Sequence, residues 1–98
     1  MIEPLKLEDF IPHVHSQFQI AGEEKVELEL TSATDHSNAQ LEQFSLIFTG
    51  AVSPYLPQRL YALSHPHMGN VELFLVPVGP DKTGMRYEAA FSRFVDPR

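Results

Sequence analysis

Leu56–Gly79 reads LPQRLYALSHPHMGNVELFLVPVG, and the fold of the whole chain turns on how these residues pair. Arg59 to His65 forms one extended arm, Pro66 to Asn70 is dense in turn-forming residues, and Val71 to Pro77 is a second arm rich in β-branched and aromatic side chains, so the stretch predicts a β-hairpin. Val71, Leu73 and Leu75 share one face of the second arm, and Phe74, Val76 and Val78 share the other. Only Glu72 interrupts this pattern, which predicts a central strand covered on both sides.

Working outward, Phe44 to Thr49 repeats that pattern, with Phe44, Leu46 and Phe48 on one face and Ile47 on the other. Val26 to Ser32 alternates cleanly, Val26, Leu28 and Leu30 inward against Glu27, Glu29 and Thr31 outward, as expected of a strand with one wet face. Ser16 to Ala21 and Met85 to Val95 read as further strands, the latter with Tyr87, Ala89 and Phe91 inward and a bend expected near Ala90 and Phe94. The polar run Ala33 to Gln43 predicts a long loop. Pro4 to Phe10 predicts a helix of about two turns, placing Leu5, Leu7 and Phe10 on one face to plug an open sheet end. Pro12 is expected to push Ile11 out of helical geometry.

The elements sum to a mainly β fold: a small antiparallel barrel or sandwich of six strands with one short N-terminal helix. An open sheet dimerising through its edge and a split barrel with the helix across one mouth are its variants. With 98 residues, the chain predicts a single β domain over residues 1–98.

Composition narrows the partners. Thirteen acidic against seven basic residues give a formal net charge of −6, and the scattered Lys and Arg do not form a phosphate-binding stripe. Nucleic acid and anionic membrane surfaces are therefore excluded as expected partners. Cysteine is absent, which removes disulfides, thiolate metal sites and cysteine nucleophiles. MIEPLKLEDF lacks the basic start and apolar run of a secretory signal, and no apolar run approaches the roughly 20 residues of a membrane helix. The cytoplasm is the expected compartment.

Five histidines are the compositional oddity, four of them in His-x-His pairs, His13 with His15 and His65 with His67. Side chains two apart on a strand face the same way and can converge on a transition-metal ion. His65-x-His67, Glu72 and Gly79 are similar in spacing to most of the first motif of the cupin barrels, which would make the chain a small metal-binding barrel. Arg59 stands where that motif has glycine, Pro66 and Met68-Gly69 make the pair resemble a turn, and no histidine follows His67 to supply the later ligand. A ligand from His13 or His15 would define a different site.

None of the serines lies in a nucleophile elbow, and Glu27 with Glu29 reads as a solvated strand face. Arg86, Glu88 and Arg93, with Glu72 nearby, are expected to form cross-strand ion pairs. The reading therefore assigns no catalytic, cofactor-binding or metal-binding residue. The apolar surplus, seven Phe and three Tyr among many Leu and Val, instead points to a homo-oligomer or a protein partner covering what six strands cannot. A small-molecule-binding barrel is the third reading, to be decided by whether side chains fill the interior.

The phrases PHVHSQF, QFSLIFTG, LPQRLYALSHPHMGNVELFLVPVGP and GMRYEAAFSR, spread from Phe10 to Arg93, resemble a family of small bacterial domains of unknown function. The likeness is carried most specifically by ELFLVPVGP and YEAAF. It implies a stand-alone domain, encoded in some cases beside proteins resembling phage tail-collar and fibre components, with no catalytic residues to transfer. It also implies a small residue such as glycine where this chain has His15. The function expected from residues and resemblance together is a non-enzymatic interaction or assembly module, associated with phage-tail-like or secreted particles.

Overall fold

A computed structural model describes residues 6–52 and 56–94. Among them, six strands close into an antiparallel barrel: β1 (Gln17–Ile20), β2 (Glu23–Asp35), β3 (Leu41–Gly50), β4 (Arg59–His65), β5 (Gly69–Asp81) and β6 (Gly84–Phe94), ordered β1-β2-β3-β6-β5-β4 with β4 returning to β1. The six-stranded antiparallel fold is the expected one. Closure gives every described strand two neighbours, so the open-sheet variant with a pairing edge does not occur.

The organising hairpin is present, with Tyr61 opposite Leu73 and Leu63 opposite Val71. The inward rows are those set by the period-two pattern: Phe44, Leu46 and Phe48; Tyr61 and Leu63; Val71, Leu73 and Leu75; Tyr87 and Ala89. With Phe18, Ile20, Leu28 and Leu30 they form one buried cluster that fills the barrel. An interior occupied by these side chains leaves the ligand-barrel reading without its cavity.

Bulges at Gln19/Ile20, between Leu30 and Ser32, and between Pro77 and Gly79 provide the bends that a closed sheet needs. At the second, Thr31 donates its hydroxyl to the Ile47 carbonyl at 3.0 Å. The third lies in the long strand β5, beside the exposed Val78.

Several expectations are corrected. The loop predicted over residues 33–43 shrinks to 36–40, because β2 runs on to Asp35 and β3 begins at Leu41. The Asp35 carboxylate accepts the Ser37 N–H, and the Asn38 side-chain oxygen accepts the N–H groups of Gln40 and Leu41, each at 2.8 Å. These side chains satisfy the backbone within a tight turn, so the polar composition marks a reversal and not a long loop.

Helix α1 (Leu7–Phe10) is a single turn, and Pro4 and Leu5 of the predicted helix lie outside the described residues. Ile11 keeps helical geometry, φ −53° and ψ −44°, because a 3-10 turn over Ile11–His13 continues the coil. Pro12 sits near its start, where a missing N–H costs nothing. The expected ion pairs also change: Arg86 meets Asp81 at 3.5 Å, whereas Glu72 lies opposite Ala62. No break interrupts β6 at Ala90, which pairs with Ser45 in a continuous ladder that reaches Phe94.

The last correction bears on function. The second face of β5 is not covered: Phe74 is 50% and Val78 42% exposed. A closed barrel turns one face of every strand to the outside, whatever its sequence.

Candidate functional site

Helix α1 and the 3-10 turn lie over one barrel mouth, the end at which β1, β3 and β5 begin and β2, β4 and β6 finish. Phe10 is fully buried there, its ring 6.3 Å from that of Phe44 and 6.1 Å from that of Phe91, which are themselves stacked at 4.4 Å. The helix is thus the plug that its spacing suggested. The opposite mouth is covered by Leu56, whose N–H donates to the Tyr87 hydroxyl at 2.8 Å, while the Tyr61 hydroxyl donates to the Pro57 carbonyl at 2.6 Å.

Three imidazoles meet at the plugged mouth. The His13 ring lies 4.6 Å from that of His65 and 6.0 Å from that of His67, and His65 and His67 are 5.8 Å apart. His65 is the centre, only 5% exposed, with its ring 4.5 Å from that of Phe18. It ends β4 on the inward side, while the turn that follows carries His67 back over it. The adjacent Ser64 falls on the other face, as alternation requires.

The hydrogen bonds fix the protonation state of His65. Its Nδ1 accepts the backbone N–H groups of His67, at 3.0 Å, and Met68, at 3.2 Å. An atom facing two donors carries no proton, so in the neutral ring the proton sits on Nε2, 2.8 Å from the Ser16 hydroxyl. Nε2–H donates to that hydroxyl, and the hydroxyl donates in turn to the His13 carbonyl. Burial, then the neighbouring His13 and His67, push the His65 pKa below its ordinary value, favouring this neutral form.

The chemistry of the cluster follows from that polarity. A serine nucleophile needs an imidazole lone pair facing its hydroxyl, and here Ser16 meets an N–H donor. A metal ligand needs a free imidazole nitrogen, and both nitrogens of His65 are engaged. The rings of His13 and His67 are stacked within 8° of parallel, and among the described residues no group of three or more His, Asp or Glu is arranged to hold a metal ion. Glu72, the carboxylate of the cupin-like spacing, lies on the outward face of β5 and is not part of the cluster.

His15 is also apart. Its Nδ1 lies 3.3 Å from a Glu29 carboxylate oxygen at the surface, and its φ of 76° is in the left-handed region. Glycine is the residue suited to that backbone, which gives a physical reason for the small residue implied at this position. Ser16 was not singled out by its sequence context. No spacing motif links it to a histidine 49 positions away.

Two depressions mark the outer wall. One, of about 500 Å³, is lined by the polar residues Gln17, Gln19, Glu27, Ser64 and His65 together with Pro66 over the short β1–β4 seam. This seam has two registered pairs, Gln19 with Ser64 and Ile20 with Leu63. The other, of about 270 Å³, includes Glu8, Asp35 and Glu42 beside helix α1.

One strip of the wall is apolar. Leu60 and Phe74 are direct cross-strand neighbours on β4 and β5, 55% and 50% exposed, with Val78 further along β5.

Residues 5–91 match a family described as a domain of unknown function, DUF6916. The chain belongs to the DUF6916 family. The match covers the plug, the histidine cluster and all strands but the last residues of β6. No curated protein and no solved structure matches the chain. In this DUF6916 domain the distinctive surface features are therefore the polar seam, the plugged histidine mouth and the Leu60–Phe74 face.

Proposed function

We propose that this DUF6916 domain is a non-enzymatic interaction or assembly module whose docking surface is the outer face of the β4–β5 hairpin. The observation that carries the reading is the pairing of Leu60 with Phe74, two large apolar side chains, each half exposed, on a barrel whose interior is already full. Directly opposed side chains on one face of a sheet are in contact, so they make a patch and not two isolated exposures. Covering the remaining half of each contributes about 2 kcal/mol, roughly 30-fold in affinity, at the usual value for burying Leu or Phe.

The net charge of −6 and the scattered cations support a protein partner over nucleic acid or an anionic membrane. The proton polarity at Ser16 and His65 supports a non-catalytic role for the mouth. A second copy of the chain or another protein is the proposed occupant. Incorporation into a phage-tail-like or secreted particle is the proposed setting, resting on the sequence resemblance, and the cytoplasm is the compartment assigned to the free module.

Sedimentation velocity over a wide concentration range, alone and with candidate assembly partners, tests this reading. The wild type is expected to associate, and the Leu60→Ser/Phe74→Ser double variant to remain monomeric with an unchanged denaturation midpoint. Equal association by both proteins would contradict the proposal.

A further inference from the structure

We propose that His13, His65 and His67 form a proton-operated latch that holds the α1 segment across the barrel mouth at neutral pH and releases it on acidification while the barrel stays folded. The inference does not depend on the β4–β5 face.

The latch has two halves joined at one ring. On the barrel side, unprotonated Nδ1 of His65 holds the β4–β5 turn through the N–H groups of His67 and Met68. On the plug side, Nε2–H holds Ser16, whose hydroxyl holds the carbonyl of His13 at the end of the 3-10 turn. A proton added at Nδ1 would meet two N–H donors head on. The turn must then rotate away or the ring must leave its seat, and leaving the seat breaks the link to Ser16. The His13 ring lies 4.6 Å away, tilted against that of His65, so its own seat is lost with that of His65.

Few charges facing His65 could compensate the proton. The 3-10 turn presents His13, the β4–β5 turn presents His67, and β1 with the residue just before it presents Phe18 and Ser16, which are uncharged. Glu27 of β2 shares the outer seam with His65, while Glu29 is turned to His15. A cation at His65 therefore adds to any charge on its two histidine neighbours.

The direction of the pH response follows from linkage. The closed-state pKa of His65 is lowered from the ordinary value of 6.5. The contribution of the neutral ring to closure is fully present above that value and is lost as pH falls from it through the closed-state pKa. Across that window, one proton raises the opening equilibrium about tenfold per pH unit. The barrel has an independent spine in the β3–β6 ladder, ten consecutive pairs from Leu41–Phe94 to Gly50–Met85, in which no histidine takes part.

Amide hydrogen exchange of the full chain, expressed as protection factors from neutral to mildly acidic pH, tests the latch. The reporters are the amides of His15, Ser16, His67 and Met68, which donate respectively to Leu30, His13 and, for the last two, His65. Their protection is expected to fall about tenfold per pH unit below the ordinary histidine value, while amides of the β3–β6 ladder hold.

His65→Asn, whose side-chain oxygen can take the place of Nδ1 but binds no proton, should remove the slope. Should that variant not fold, His13→Asn/His67→Asn keeps the central ring but removes the two neighbours that help lower its closed-state pKa, so the fall in protection should level off at a higher pH and its total should shrink. Loss of protection in the reporters and the ladder together would overturn the proposal. So would a slope that survives His65→Asn, or a total loss of protection undiminished in the His13→Asn/His67→Asn variant.

Discussion

Replacing His65 tests whether its ring is the hub of the plugged mouth, and the structure sets the size of the effect. His65→Ala removes three hydrogen bonds, two from the backbone N–H groups of His67 and Met68 and one to Ser16, together with the contact to Phe18 at 4.5 Å. At about 1 kcal/mol per hydrogen bond and about 1 kcal/mol for the ring contact, the loss is about 4 kcal/mol. A small domain holds about 5–15 kcal/mol in all, so this variant should lose from about a quarter to most of its stability.

His65→Asn separates the terms. Its side-chain oxygen is the same number of bonds from the backbone as Nδ1, so it recovers the two N–H bonds and should lose only about 2 kcal/mol. Urea titrations at neutral pH, with the slope m unchanged, measure both. The reasoning is refuted if Asn is no better than Ala, because the Nδ1 bonds would then contribute nothing, or if both variants cost under about 0.5 kcal/mol, as surface substitutions do.

Three further outcomes are expected. His15→Gly should stabilise the domain by about 0.5–1 kcal/mol, because it relieves a left-handed backbone and gives up only an exposed pairing with Glu29; a lower denaturation midpoint would count against it. Phe10→Ala should cost about 3–5 kcal/mol in the same assay, since its fully buried ring fills the mouth against Phe44 and Phe91. Gly84→Ala should cost about 3 kcal/mol or more, because φ is 142° and a Cβ would strike the Gly50 carbonyl oxygen across the β3–β6 ladder; a soluble variant of wild-type stability would show that the hairpin relaxes freely.

What the sequence disclosed and what it withheld divide along a physical line. Alternation with period two is local, so the inward rows of Phe44, Leu46 and Phe48 and of Val71, Leu73 and Leu75 could be read directly, as could the bounds of β4. Closure is not local. The composition of Phe74 and Val78 matches that of the buried row, and only the return of β4 to β1 places them outside.

The polar run after Ala33 overstated its loop because Asp35 and Asn38 can serve a turn of a few residues as readily as a long excursion. Of the histidines, the pairing within His-x-His was visible, but the contact that matters joins His13 to His65. That contact depends on where the plug lies over the mouth, which no spacing encodes. His15, the other member of the first pair, is turned away by its backbone toward Glu29.

Photo-crosslinking from the β4–β5 face tests the central claim most directly, that this module works through an outward apolar surface and not through a pocket. A photoreactive phenylalanine analogue placed at position 74 should give a discrete covalent product with a second copy or an assembly partner, whereas the same analogue at position 27, on the polar seam, should not. Products from position 27 alone, or from neither position under conditions where the wild type associates, would contradict the account.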